Sequence, residues 1–206
     1  MKRIILSMVA IVAFAIGTQA QAFEMGKKYI SIGVGGASYF NILTRSGATG
    51  VTYAPISFQF SVQGEFPVHK YVGVGFYTGI GAGNGTGGGL GLGTRYGHGY
   101  GYGRGYGYGT AQMNIPLGFL TNFHFYQLIA DKTGKDIKAD KLDVYAGLSI
   151  GSGVGLFFPS GSVEPTVLAW GGPHVGVRYF FTDKLGVNGE IGYGKTFVNA
   201  GLTFKL

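Results

Sequence analysis

In SFQFSVQGEF, residues 57–66, Phe58, Phe60, Val62 and Phe66 share one parity, and Gln59, Ser61, Gln63 and Glu65 share the other. Successive side chains of an extended strand point to opposite faces, so this order makes a ribbon with one oily and one polar side. The pattern returns in YVGVGFYTGIG, where Val72, Val74, Phe76 and Ile80 oppose Gly73, Gly75, Tyr77 and Gly79. It returns again in LDVYAGLSIG, with Leu142, Val144, Ala146, Leu148 and Ile150 against Asp143, Tyr145, Gly147, Ser149 and Gly151. The last ten residues, FVNAGLTFKL, set Val198, Ala200, Leu202, Phe204 and Leu206 against Asn199, Gly201, Thr203 and Lys205. Eight such segments are expected, near residues 28–39, 53–66, 71–82, 111–126, 142–154, 167–181, 185–194 and 197–206.

A soluble β-sandwich also alternates, but its apolar face turns inward and its outer face needs many charges. Only 12% of this chain is charged, and its polar faces carry mostly Gly, Ser, Asn, Gln and Thr. A mean hydropathy of +0.23 beside 41 glycines points the same way. Apolar side chains facing lipid around a small-residue lumen account for both. In hydrocarbon each unpaired backbone group costs several kcal/mol, so such a sheet must close on itself. The expected fold is all-β: an eight-stranded antiparallel up-and-down transmembrane β-barrel. Eight strands enclose little space, and the inward glycines either leave a watery cavity or make room for Tyr145, Arg178 and other long groups.

The first residues fit export. Lys2 and Arg3 precede an apolar run over residues 4–16, and Ala20, Gln21 and Ala22 supply an A-x-A site. A secretory signal peptide over 1–22, cleaved before Phe23, leaves 23–206 as the barrel. No later run has the length of a spanning helix. Cysteine is absent, which excludes a lipid-anchored N-terminus and a disulfide framework. Without Lys2 and Arg3 the formal charge falls from +7 to +5, an excess that suits an anionic lipid surface but is spread along the sequence.

GVRYFFTDKLGVNGEIGYG followed by FVNAGLTFKL resembles the last three strands of the small outer-membrane β-barrel proteins of Gram-negative bacteria, the OmpA/OmpX-like group, and IPLGFLTNFHF is similar to one of that group's middle strands. The resemblance implies a location in the cell outer membrane among its lipid and lipopolysaccharide. It also implies insertion by the outer-membrane assembly machinery, which reads an apolar pattern that Phe204 and Leu206 match. It is informative about architecture and poor about activity, since the group includes adhesins, small channels, structural anchors and a few lipid-modifying enzymes.

Three catalytic motifs occur and none has its context. GEIGYGKT, residues 189–196, matches a phosphate-binding loop with Lys195 and Thr196, but only ten residues follow and they alternate rather than form a helix. GLSIG, residues 147–151, matches a nucleophile elbow at Ser149, yet it sits inside a continuous strand. GNGTGG, residues 83–88, has no helix after it to present to a pyrophosphate. The histidines His69, His98, His124 and His174 show neither metal-ligand spacing nor a serine partner pattern; His124 and His174 have lumen parity, where a hydrogen-bonded interior role is expected. No catalytic residue, cofactor or metal is expected.

Charged residues do fall on the polar face. Glu65, Asp143, Arg178, Glu190 and Lys205 have lumen parity, and a buried charge must be paired. A structural network around Arg178 with Glu190 and Glu65 is the expected arrangement. Outside the strands, residues 95–109 read RYGHGYGYGRGYGYG, within a connection at about 83–110 that the topology places outside the cell. Glycine keeps such a loop open, and Arg95, Tyr96, Tyr100, Tyr102, Arg104, Tyr106 and Tyr108 are contact groups suited to sugars, lipids or proteins. A partnerless spacer and a ribbon prolonging the third and fourth strands are the alternatives; nucleic acid is not, because export removes the chain from it. The expected function is a non-enzymatic envelope component with surface loops for structural or adhesive contact. A narrow channel for ions or small solutes is the second reading, and a lipid-modifying enzyme the third.

Overall fold

A computed structural model describes residues 21–37, 40–45, 48–53, 57–85, 110–134, 138–158, 163–195 and 197–206. Residues 1–20, most of the expected signal peptide, and the whole Gly/Tyr tract lie outside the described residues. The strands are β1 (Tyr29–Ala37), β2 (Phe40–Arg45), β3 (Ala48–Tyr53), β4 (Ser57–His69), β5 (Val72–Gly85), β6 (Thr110–Phe123), β7 (Leu142–Phe158), β8 (Glu164–Phe180), β9 (Leu185–Gly192) and β10 (Val198–Lys205), with one described helix, α1 (Phe125–Thr133).

Antiparallel pairing runs β8-β7-β6-β5-β4-β1-β10-β9, and β9 pairs back onto β8, closing a ring of eight. The eight expected segments supply these eight strands. Two elements were not expected. The connection near 40–52 contains the hairpin β2–β3, and β2 continues the wall by pairing residues 40–42 with Val167, Leu168 and Ala169 of β8. α1 begins at Phe125 and runs into the long QLIADKTGKDIKADK connection, so the fourth segment ends as a strand at Phe123 rather than at 126. Residues 21–28, the C-terminal residues, the Lys70–Tyr71 turn, α1 and the 181–184 turn share one end of the barrel, here the terminal end. The other is the loop end. There the connection over 86–109 is closed at its base by the pair Gly85–Thr110.

The alternation sorts residues as a lipid-spanning wall requires. Phe119 is 73% exposed and Ile150 is 70% exposed, while their strand neighbours Leu120 and Ser149 are buried. Most of the buried side chains are polar. Burying polar groups while presenting phenylalanine, isoleucine and valine outward would be costly in water and favourable in hydrocarbon.

The inward glycines are occupied space. A Cβ on Gly176 would collide with the Tyr145 ring, and one on Gly118 or Gly151 would collide with Trp170. Each glycine stands beside a large side chain that crosses the lumen, so of the two expectations the filled interior is the one realised. Two apolar groups bound the polar interior: Ala22, Phe23, Tyr29 and Phe180 at the terminal end, and Tyr77, Leu120, Leu168 and Trp170 toward the loop end.

Candidate functional site

The lumen holds two ionic clusters, one above the other. The lower one joins four strand feet. Arg178 of β8 is ion-paired to Glu65 of β4 through a short contact, and its Nη1 lies 3.5 Å from Asp143 Oδ2 of β7. His124, in the turn just beyond β6, donates from Nδ1 to Asp143 Oδ1 at 2.8 Å and from Nε2 to Glu65 Oε1 at 2.9 Å. Both imidazole nitrogens face carboxylate oxygens, and only the imidazolium can donate twice. Burial opposes that charge, but the bonds and fields of Asp143 and Glu65 outweigh it and raise the His124 pKa above its ordinary value. The cluster is then two anions and two cations, which offsets the penalty of taking each out of water.

The upper cluster centres on Glu190 of β9. Lys195 donates to Glu190 Oε2 at 2.6 Å and to Gln63 Oε1 at 2.7 Å, and Tyr145 donates to Glu190 Oε1 at 2.8 Å. Lys195 belongs to the link between β9 and β10. That link turns into the barrel instead of arching over it. Gly194, at φ +83°, takes a left-handed turn there and lies 3.0 Å from the Gly171 backbone, measured from the place of a Cβ it lacks. The Tyr77 hydroxyl fixes the link by donating to the Lys195 carbonyl at 2.8 Å.

Tyr145 joins the layers. Its ring stacks against the Arg178 guanidinium, 4.4 Å from centroid to Cζ, while its hydroxyl reaches Glu190.

Of the expected network, Glu65, Asp143 and Arg178 meet in one cluster. Glu190 does not join Arg178, which corrects the expectation. The register gives the reason: Arg178 stands opposite Asn188 on β9, whereas Glu190 stands opposite Gly176, two residues further along β8. Two residues of strand are about 7 Å, and the Tyr145 ring fills that step. Lys205 also stands apart, donating to Glu24 Oε1 at 2.8 Å and to the Gln21 carbonyl at 2.9 Å.

Sequence reasoning missed three members. Lys195 was weighed only as a phosphate ligand; β10, not a helix, follows it, and its ammonium is buried against Glu190. Gln63 carried the right parity but no charge. Phe23 belongs to an N-terminal segment that enters the terminal mouth, where its ring stacks on His124 with centroids 3.4 Å apart and planes at 11°. No periodic signal marks a segment that folds inward from outside the strands.

The other motif positions are structural. Ser149 lies within β7 and donates to the Gly172 carbonyl at 3.4 Å. His174 is bonded through Nε2 to Asn122 Oδ1 at 2.8 Å. Among the described residues no serine hydroxyl is bonded to a histidine, and no group of His, Asp and Glu has the arrangement of a metal site. Arg95, Tyr96, Tyr100, Tyr102, Arg104, Tyr106 and Tyr108 lie outside the described residues.

A closed ring of eight antiparallel strands is also the fold that solved proteins share with this chain. Neisserial surface protein A is similar over 88% of this chain and 99% of its own, with a TM-score of 0.50 at 12% identity. The outer membrane protein OprG from Pseudomonas aeruginosa is similar over 91% of this chain and 98% of its own, with a TM-score of 0.50 at 11% identity. The chain has the fold of a small outer-membrane barrel. Identities this low carry the architecture and no activity. No family model and no curated sequence matches the chain.

Proposed function

We propose that this protein is an integral component of the bacterial outer membrane, a sealed and non-enzymatic barrel that acts as a structural element and presents its loop end to the surroundings. The observation that carries the reading is the doubly clustered lumen. Arg178, Glu65, Asp143 and His124 below, Tyr145 between, and Glu190, Lys195 and Gln63 above fill the bore with bonded groups. Every ion in it has a counter-ion, so a permeating ion would have to break a buried pair at a cost of several kcal/mol. The barrel fold supports membrane insertion, and the apolar outer wall supports lipid as its surrounding.

At the loop end, the Gly/Tyr connection is held at its base by Gly85 and Thr110, so its tyrosines and two arginines are tethered to a rigid wall. Rigid support with glycine-spaced aromatic groups suits contact with sugars, lipids or proteins. Surface protease digestion of intact cells tests the placement: cleavage near Tyr100 with the barrel left heat-modifiable on gels is expected, and protection in intact cells with cleavage only after lysis would refute it. Planar-bilayer recording tests the seal. Reconstituted protein is expected to give no discrete conductance steps; regular steps would make the narrow-channel reading the correct one.

A further inference from the structure

The basic excess that is scattered along the sequence is gathered in space. Lys27 and Lys28 precede β1, Lys141 precedes β7 and Lys184 precedes β9, and all four are exposed on the terminal end of the barrel. Backbone bonds place them around one arc of the rim. Lys28 and Leu206 exchange N–H···O bonds at 3.1 and 2.9 Å, Lys205 N–H donates to the Lys184 carbonyl at 2.8 Å, and Phe180 N–H donates to the Lys141 carbonyl at 2.8 Å. Outside the two lumen clusters, the described residues of this end include eight lysines and four acidic side chains. Of those acids, Glu24 is taken by Lys205 and Asp131 by Lys70. Asp140 and Asp183 neighbour Lys141 and Lys184 in sequence, and no ion pair joins them among the described residues.

The same rim is the lower edge of the oily wall. Phe66, Phe123, Tyr179, Phe181 and Leu206 are exposed beside it. Rings and apolar side chains at the edge of a lipid-facing band mark the depth at which acyl chains give way to headgroups. Lysine stems lie along such a surface while their ammonium groups reach the phosphate plane.

From this juxtaposition we propose that the terminal-end rim is a binding surface for anionic phospholipid, with Lys27, Lys28, Lys141 and Lys184 holding the phosphates of glycerophospholipids in the periplasmic leaflet. The proposal rests on the membrane-spanning reading. It adds a lipid class and a leaflet. Lipid is favoured over a soluble acidic partner because the lysines and the exposed rings occupy one edge, and a soluble partner has no use for the rings. An ammonium near a membrane surface gains about fivefold in its preference for anionic lipid.

The test uses the processed full chain in vesicles of phosphatidylcholine with phosphatidylglycerol as the minor lipid. Discs of protein with its nearest lipid are excised with an amphipathic copolymer, and their lipid ratio is compared with that of the bulk. Phosphatidylglycerol is expected above the bulk ratio by less than the roughly fivefold of a single lysine site, because the rest of the lipid shell dilutes four such sites, and the excess is expected to fall as salt is raised. The quadruple variant K27Q/K28Q/K141Q/K184Q is expected to carry lipid at the bulk ratio, and the four Lys→Arg changes to restore the enrichment. Native protein that is heat-modifiable yet carries lipid at the bulk ratio overturns the rim site while leaving the barrel standing. Enrichment that persists in the quadruple Gln variant also overturns it. A chain that fails to insert removes the membrane reading, and this inference with it.

Discussion

Replacing Arg178 with methionine keeps much of the side-chain volume and removes the charge. Glu65 and Asp143 are then left buried with only His124 between them. Removing one partner of a buried ion pair costs about 3–5 kcal/mol, because the remaining charge is neither solvated nor paired. At about 2–4 °C per kcal/mol for a chain of this size, the unfolding midpoint should fall by roughly 6–20 °C. Glu65→Gln alone should cost a comparable amount, since it leaves Arg178 with only the 3.5 Å contact to Asp143 as an ion pair and replaces the carboxylate that faces His124 with a neutral amide. The double variant should recover a large part of the loss, because His124 and Asp143 remain a neutral pair with each other. The assay is the fraction of heat-modifiable protein on gels against temperature in a single detergent, for the native protein, both single variants and the double. A coupling energy of about 2 kcal/mol or more is expected. Losses that add to within about 0.5 kcal/mol would refute the reasoning, since that is how unconnected sites behave.

The lower cluster also sets a pH dependence. The folded-state pKa of His124 is raised above its ordinary 6.5, so its contribution is complete below that value and is lost as pH rises through the folded value. The thermal midpoint should therefore decline toward alkaline pH, and His124→Gln should flatten the decline. Gly176→Ala puts a methyl group into the Tyr145 ring and should cost about 1–3 kcal/mol in urea unfolding, with Gly189→Ala, where a Cβ finds nothing nearer than 4.0 Å, as the harmless control. Phe23→Ala should cost about 3 kcal/mol or more by opening the mouth over His124, read as the same thermal midpoint.

The wall was legible in the sequence because parity is a local property. Each of Phe58, Phe60 and Val62 declares its side against its own neighbours, and closure follows from lipid without knowledge of register. Partners inside the lumen depend on register, which parity leaves open. Glu65, Asp143 and Arg178 all carried the right face, but whether Arg178 meets Glu190 depends on a displacement of two residues between β8 and β9. Lys195 and Phe23 were illegible for a different reason. Both lie outside the strands and enter the barrel from its ends, driven by a buried acceptor in one case and an apolar ring stack in the other. The hairpin β2–β3 was hidden because its six-residue strands are too short for alternation to stand out from a loop.

The central claim is that one parity of each strand meets hydrocarbon and the other a packed polar interior. Spin labels placed singly at Leu148, Ser149 and Ile150 of β7, in vesicle-reconstituted protein, test it most directly through collision with oxygen, which concentrates in lipid, and with a water-soluble nickel complex. The account predicts high oxygen collision at 148 and 150 and low collision with either reagent at 149. Strong nickel collision at 148 and 150, with no alternation in oxygen collision along the three sites, would contradict it.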